Sequence, residues 1–541
     1  MTIAGDAPSE LIQAAYSPDL ISRSGELLAR RLADHLRKIQ RGEGPVLPWV
    51  DPRENLRLAQ STLTARFGEA VPTSTAANPA ASVPGPAGEF AANPLAAVPV
   101  ESLDQLVARF SELMELVLAR SHNLHHPHYV GHQVPAPVPI AGLFDGLGAV
   151  LNNPMAIYEM GPWTTSVEQA MLRELGSCLG WSDLDYGGIV THGASLANLT
   201  AMLVARNIRL GDSWEQGVPR QGPPPVLITH CESHYCLART AGILGLGTRQ
   251  VIQIGLDHKR RMKIDELEQR LRECRERGQP VIAVAASACA TPVGAFDPLR
   301  PIAELCREYG VWMHVDAAHG GAAVLSPRFR SLVDGIELAD SVTWDAHKML
   351  FVPALCAFLF FRRKANSYQG FRQSAPYLFD PAAPELIDFD GGLRTVECTK
   401  RGMVLGLWGV WSMFGRTLFQ ELVERTFDLG RRLYEKLCEA PDFVPLHEPE
   451  CNIVVFRHIP AALSAAPPQV VSEFQMQLRR TVCQSGQFYL VPASIDGQSA
   501  LRCTLINPLT TVADLDALLA TLRETGQQIL KQSILKPSTA N

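Results

Sequence analysis

No stretch of this 541-residue chain is apolar for long enough to cross a bilayer, so an integral membrane protein is not expected. Residues 1–17 lack a basic start and an apolar core, so no secretory signal is expected either. The 12 cysteines include no Cys-x-x-Cys pair, and several, such as Cys289 and Cys356, sit in apolar runs. They read as reduced thiols of a cytoplasmic protein, not as a disulfide framework. There is no basic excess: the net charge is -6, which argues against a nucleic-acid partner. His122, His125, His126 and His128 crowd together, but no carboxylate or thiol stands beside them at ligand spacing. They read as loop histidines near a site, and no metal is expected.

With 46% hydrophobic and 19% charged residues, the composition is that of a globular protein, and the length calls for two or three domains. From Pro8 to about Gln60 the pattern is helical, with Leu27, Leu28, Leu32 and Leu36 at helix spacing. This amphipathic segment has no partner within itself and is expected to pack on another part of the protein or on a second subunit. Val71–Val98 is rich in Ala and Pro and nearly uncharged, as in a linker or surface loop. From about Thr165 to Arg363, short apolar runs alternate with helical ones, which predicts a mainly parallel sheet covered by helices. From about Gly415 onward a smaller α+β domain is expected.

Two runs carry the chemistry. Val311-Trp-Met-His-Val-Asp316 ends in a carboxylate, and Ser341-Val-Thr-Trp-Asp-Ala-His-Lys348 ends in an imidazole and an amine. Each reads as a buried strand delivering polar groups at its C-terminal end, where open α/β sheets bind ligands. A lysine and an aspartate brought together there suit pyridoxal 5'-phosphate (PLP). The amine of Lys348 can condense with the aldehyde, and Asp316 can hold the pyridine nitrogen protonated. To act as a nucleophile the lysine must lose its proton, which burial or nearby cations would promote. Thr191-His-Gly-Ala-Ser195 lies between a strand and a helix, where small residues let backbone N–H groups approach a phosphate. Ser233-His234-Tyr235 follows an apolar strand and offers an imidazole to stack on a ring.

These stretches, with Gly44-Pro-Val-Leu-Pro, His126-Pro-His-Tyr, Asn153-Pro-Met-Ala-Ile-Tyr-Glu, Gly294-Ala-Phe-Asp-Pro and Leu501-Arg-Cys-Thr-Leu-Ile-Asn-Pro, resemble the group II PLP-dependent amino-acid decarboxylases. That family includes glutamate, cysteine sulfinate, diaminobutyrate and aromatic amino-acid decarboxylases. The resemblance implies the α/β architecture of PLP-dependent transferase fold type I, a large mainly parallel-sheet domain with an N-terminal segment and a small α+β C-terminal domain. Expected boundaries are 1–110 for a helical dimerisation segment with the Ala/Pro linker at 71–98, 111–414 for the PLP domain, and 415–541 for the small domain. A homodimer with active sites at the subunit interface is implied. Carried over by motif, Lys348 anchors PLP, Asp316 pairs with its ring nitrogen and His234 stacks on it. Ala194 and Ser195 meet the phosphate with His347 nearby, and Ala318 lines the face opposite His234. Thr291 falls where the family has a Thr-rich turn, although Ala290 replaces one of the expected threonines.

For the substrate, Arg502 lies where glutamate and cysteine sulfinate decarboxylases resemble one another in using an arginine for the substrate carboxylate; a structural salt bridge is the alternative. Gln133 or His132 would face the distal group. The expected substrate is therefore an acidic L-amino acid such as glutamate, aspartate or cysteine sulfinate, or diaminobutyrate. One departure stands in the loop after Ser374-Ala-Pro-Tyr-Leu-Phe. Counted back from Cys398, Phe389 takes the place of a family tyrosine that returns a proton after CO₂ leaves. Either another donor such as His234 or water serves, or the register in this loop differs, or the product is an aldehyde formed by oxidative deamination. A non-catalytic regulatory subunit with the same fold is the remaining alternative.

Overall fold

The computed structural model describes residues 9–64, 102–371 and 386–534. The Ala/Pro stretch at 71–98 and the segment at 374–379 lie outside the described residues. The chain divides into two compact units: residues up to His128 together with Thr481–Tyr489, and Tyr129–Arg480 together with the residues from Leu490.

In the first unit the helical N-terminal pattern resolves into α1 (Glu10–Ala15), α2 (Pro18–Gln40), α3 (Pro52–Thr64) and α4 (Leu103–Arg120). Ser17 caps α2 through its side chain, with Pro18 opening the helix, as helix-start chemistry favours. Ser102 and Gln105 form a reciprocal capping box on α4. Helix α2 finds its partner in α4, and Arg23–Asp104 (2.7 Å) and Arg31–Glu115 (2.5 Å) ion pairs edge their contact. The histidine cluster is spent on local packing. His128 stacks on Phe488 with ring centroids 3.9 Å apart, and His122 meets Tyr489 edge-on.

The second unit is built on a seven-stranded sheet: β1 (Gly187–Thr191), β2 (Val226–His230), β3 (Val251–Ile254), β4 (Val281–Ser287), β5 (Trp312–Asp316), β6 (Ser341–Asp345) and β7 (Ala357–Phe361), in the order β1-β7-β6-β5-β4-β2-β3. Strands β2 to β6 run parallel, and β7 lies antiparallel between β6 and β1. Most of these strands are buried along their whole length, which is why they read as unbroken apolar runs. Helices α5 (Pro139–Leu151), α6 (Pro162–Cys178) and α7 (Ala194–Leu210) come next in the chain, and α7 packs its Ala-rich face on the sheet. Register matters for the site. Ser287 pairs with Asp316, Asp316 with Thr343, Asp345 with Ala357, and Thr191 with Ala357. The C-terminal ends of β4, β5, β6 and β1 therefore share one edge.

The C-terminal part carries a kinked helix, Leu405–Glu439, broken at Gly415, whose φ is 67°. It also carries a four-stranded antiparallel sheet: β8 (Phe443–Pro445), β9 (Ile453–His458), β10 (Val491–Ile495) and β11 (Gln498–Thr504). The final helix runs Val512–Ile534. Among the described residues, no helix is long and apolar enough to cross a membrane.

Candidate active site

The strand ends converge on one pocket. It is lined by Gln133, Ala194, His234, Ser287, Cys289, Thr291, Asp316, Ala318, His319 and Lys348. Seven of the residues singled out in the sequence thus meet in one cavity: Lys348, Asp316, His234, Ala194, Thr291, Ala318 and Gln133. Four others stand outside its lining. Ser195 is solvent-exposed in the first turn of α7. His347 is buried with Nδ1 2.8 Å from the Cys356 carbonyl. Arg502 reaches the pocket through Gln133, donating to its Oε1 at 3.3 Å. Phe389 packs edge-on against Tyr158, with centroids 5.6 Å apart.

Asp316 closes β5 and is almost fully buried. Its Oδ2 accepts from Asn198 Nδ2 at 2.8 Å, and its Oδ1 accepts from the Ala318 backbone N–H at 3.2 Å. Because Asn198 spends its amide N–H on Asp316, its Oδ1 accepts, and His314 Nε2 donates to it at 3.0 Å. His314 Nδ1 then accepts from Ser341 Oγ at 2.8 Å, and Ser341 accepts from Trp312 Nε1 at 2.9 Å. Burial pushes the His314 imidazole down to about 4, so it stays neutral and keeps this donor order. The chain of donors aims the Asp316 carboxylate at the pocket.

Lys348 follows β6 by one turn. Burial favours its neutral amine, but the carboxylates of Asp345 and Asp316 outweigh it, and the net shift is upward from the usual lysine value. The sequence-based expectation of a depressed lysine is therefore reversed in the protein alone: the neighbours are two anions, not cations. Asp345 Oδ2 lies 3.0 Å from Lys348 Nζ.

Two imidazoles face the same space. Burial lowers the pKa of His234, with Asp316 opposing and Lys348 assisting. His319 is fully buried, donates from Nε2 to Asn452 Oδ1 at 2.8 Å, and is held down to about 3 by that burial. Burial thus favours the neutral form of both rings. Arg502, on β11, is buried; its Nε has no hydrogen-bond partner, and no carboxylate stands within ion-pair distance of it among the described residues. Its side chain donates to Gln133 Oε1 at 3.3 Å and to Thr504 Oγ1 at 3.4 Å.

These residues fit PLP on the structure's own terms. The N-terminus of α7 has no side-chain cap among the described residues, and the residue before it, Gly193, adopts φ 91°, so the helix opens its first turn beside the pocket residue Ala194. An anion end, an amine, a carboxylate and a stacking ring therefore sit around one cavity. Behind it, a buried ion pair fixes the turn. Lys400 Nζ donates to Glu168 at 2.6 and 2.7 Å and to the Val190 carbonyl at 2.6 Å, and Glu168 accepts from the Val190 N–H. Sequence reading left Asn198, Ser287, Cys289, His319 and Asp345 without a role. Asp345 and His319 lie inside the two motifs, whereas Asn198 is one turn into α7, a spacing that puts it beneath the pocket.

Comparison with known proteins accords with this arrangement. Residues 97–459 match the model of the pyridoxal-dependent decarboxylase conserved domain. The chain is 35% identical over 314 residues to the acidic amino acid decarboxylase GADL1 of Mus musculus, covering 58% of this chain and 56% of that protein. It is 33% identical over 387 residues to the cysteine sulfinic acid decarboxylase of the same species, covering 70% of this chain and 78% of that protein. The crystal structure of mouse CSAD superposes with a TM-score of 0.79 at 27% identity, over 94% of this chain and 99% of that one. The strand-end pocket and these matches agree: the chain belongs to the family of pyridoxal-dependent decarboxylases, carboxy-lyases that use PLP.

Proposed function

We propose that this protein decarboxylates an acidic L-amino acid, of the glutamate, aspartate or cysteine sulfinate kind, to the amine and CO₂. The observation that carries the choice is Arg502: a buried guanidinium that has no carboxylate within ion-pair distance among the described residues and is joined to the pocket through Gln133. A buried, uncompensated cation is costly unless an anion arrives to pair with it, and a planar guanidinium matches a carboxylate in two parallel hydrogen bonds. The two relatives, an acidic amino acid decarboxylase and a cysteine sulfinic acid decarboxylase, support the same class. Diaminobutyrate is the competing substrate.

Bound PLP supplies an aldehyde for an amine to join and a cationic ring that draws electrons from the substrate's α-carbon. In this reading Lys348 is the anchoring amine, Asp316 keeps the ring nitrogen protonated, and His234 and Ala318 line the two ring faces. The α7 N-terminus at Ala194 and Ser195 holds the phosphate, with His347 and Thr291 nearby. Arg502 takes the substrate's side-chain carboxylate, with Gln133 beside it, and so holds the α-carbon in the orientation that selects the bond to be broken. Phe389 packs on Tyr158 rather than along the pocket, so its phenyl ring gives no reason to favour aldehyde over amine.

The test is a panel of L-amino acids scored together for CO₂, amine and hydrogen peroxide. The reading expects amine and CO₂ in equal amounts from an acidic substrate. Aldehyde with peroxide, or turnover confined to diaminobutyrate, would overturn it. Replacing Arg502 with methionine is expected to lower kcat/KM by roughly 10- to 100-fold, because a hydrogen bond to a charged group contributes about 1.5–3 kcal/mol. An unchanged value would return Arg502 to a purely structural role.

A homodimer belongs to the same proposal. Leu143, Leu147, Val150 and Leu151 recur at helix spacing on α5 and are exposed in the single chain, and Trp163, Met413 and Phe414 are exposed as well. Large exposed apolar faces of this kind mark interaction surfaces. Light scattering on the purified protein is expected to give twice the chain mass of 59.1 kDa, and a monomer at micromolar concentration would contradict it. The lack of any Cys-x-x-Cys pair among the 12 cysteines supports a reducing, cytoplasmic setting.

A further inference from the structure

Two carboxylates face Lys348, and the proposed chemistry uses only Asp316. The second, Asp345, ends β6 and is completely buried. Neither of its oxygens has a hydrogen-bond partner, yet Oδ2 lies 3.0 Å from Lys348 Nζ and 3.6 Å from His347 Nε2. His347 directs its other nitrogen to the Cys356 carbonyl at 2.8 Å, which leaves Nε2 turned toward Asp345. Among the described residues, Lys348 is the lysine or arginine within ion-pair distance of the Asp345 carboxylate, which water does not reach. An anion so placed is tolerable only while its counter-ion stays charged.

We infer that Asp345 is the counter-ion of the Lys348 nitrogen, a positioning residue that keeps this nitrogen protonated both when it is joined to the cofactor and when it is released as a free ammonium. The inference rests on Lys348 being the anchor for PLP. It divides the labour between the carboxylates by environment. Asp316 is bound by Asn198 and the Ala318 N–H and turned to the pocket, whereas Asp345 receives no such donors and is left for the lysine. Without Asp345, Lys348 would have to serve as cation partner to Asp316, which the ring nitrogen claims. The other titratable groups around the pair are His234, His319, His347, Cys289 and Cys356. Both Cys289 and Cys356 are raised by burial and stay neutral thiols, while His234 and His319 are lowered by burial and stay neutral imidazoles. His347 is the remaining group that faces Asp345 directly.

The experiment is a pH titration of the visible absorbance of PLP-loaded wild type and of the Asp345→Asn variant. An opposite charge at this range shifts a pKa by about 1–3 units. The apparent pKa of the visible band in Asp345→Asn is expected to fall by that amount, with His347→Gln moving it less. A companion measurement needs no cofactor. Lys348→Ala strands the buried carboxylate, so the double variant Lys348→Ala/Asp345→Asn is expected to have a higher denaturation midpoint than Lys348→Ala. An Asp345→Asn titration that overlays the wild type, or a double variant no more stable than Lys348→Ala, overturns the role of Asp345 alone. A visible band that survives intact in Lys348→Ala removes the anchor itself, and this inference with it.

Discussion

Replacing Lys348 with alanine is expected to lower kcat/KM for decarboxylation by at least about 10³-fold, since covalent anchoring through an activated amine divides one difficult step into easier ones. Among the described residues, Lys348 is the lysine that lines the strand-end pocket, and no second amine stands there to replace it. The loss is expected in kcat, because the substitution leaves Arg502 and Gln133, the proposed carboxylate site, in place. Steady-state rates of the folded, PLP-treated variant check this, with circular dichroism confirming the fold. A variant that turns over at the wild-type rate would eliminate the proposed chemistry.

The largest effect on stability is expected at a pair outside the pocket lining. Lys400 and Glu168 form an ion pair with their side chains almost wholly excluded from water. Burial pulls the lysine below its usual value, and Glu168 holds against it. Removing one partner of such a pair costs about 3–5 kcal/mol, because the remaining charge stays buried without compensation. Lys400→Met is therefore expected to shift the denaturant midpoint down by that equivalent. The paired change Lys400→Met/Glu168→Gln is expected to recover part of it. Because Glu168 and Lys400 also hold the N–H and carbonyl of Val190, just ahead of the α7 turn, the single variant is expected to bind PLP more weakly. A midpoint equal to that of the wild type would show that water reaches the pair.

The parallel core was legible because its strands are buried on both faces, so β4, β5 and β6 announce themselves as short apolar runs ending in polar residues. Asp316 and Lys348 were legible for the same reason: a charged residue at the end of such a run must have a partner or a ligand. The antiparallel insertion of β7 between β6 and β1 was not, since pairing direction leaves no trace in an apolar run like Ala357–Phe361. The sign of the Lys348 shift was missed because Asp345 reads, in sequence, as one more polar residue closing a strand. Only the pairing of β6 with β7 and the following turn bring its carboxylate under the amine. Lys400 and Glu168, 232 residues apart, meet only through tertiary packing, and neither position is marked by a motif. Arg502 was visible through the family resemblance, with a structural salt bridge as the alternative, but the absence of a carboxylate beside it among the described residues is a property of the fold. Phe389 shows the reverse case. A position inferred by counting along a loop acquires a neighbour, Tyr158, that counting does not reveal.

The covalent link is tested most directly by reducing the PLP-loaded protein with borohydride, digesting it and locating the pyridoxyl mass by peptide sequencing. The account predicts the label on Lys348, in the peptide that contains Trp344 and His347, at one per chain. A label on any other lysine, or a protein that binds PLP and yields no reduced adduct, would contradict it.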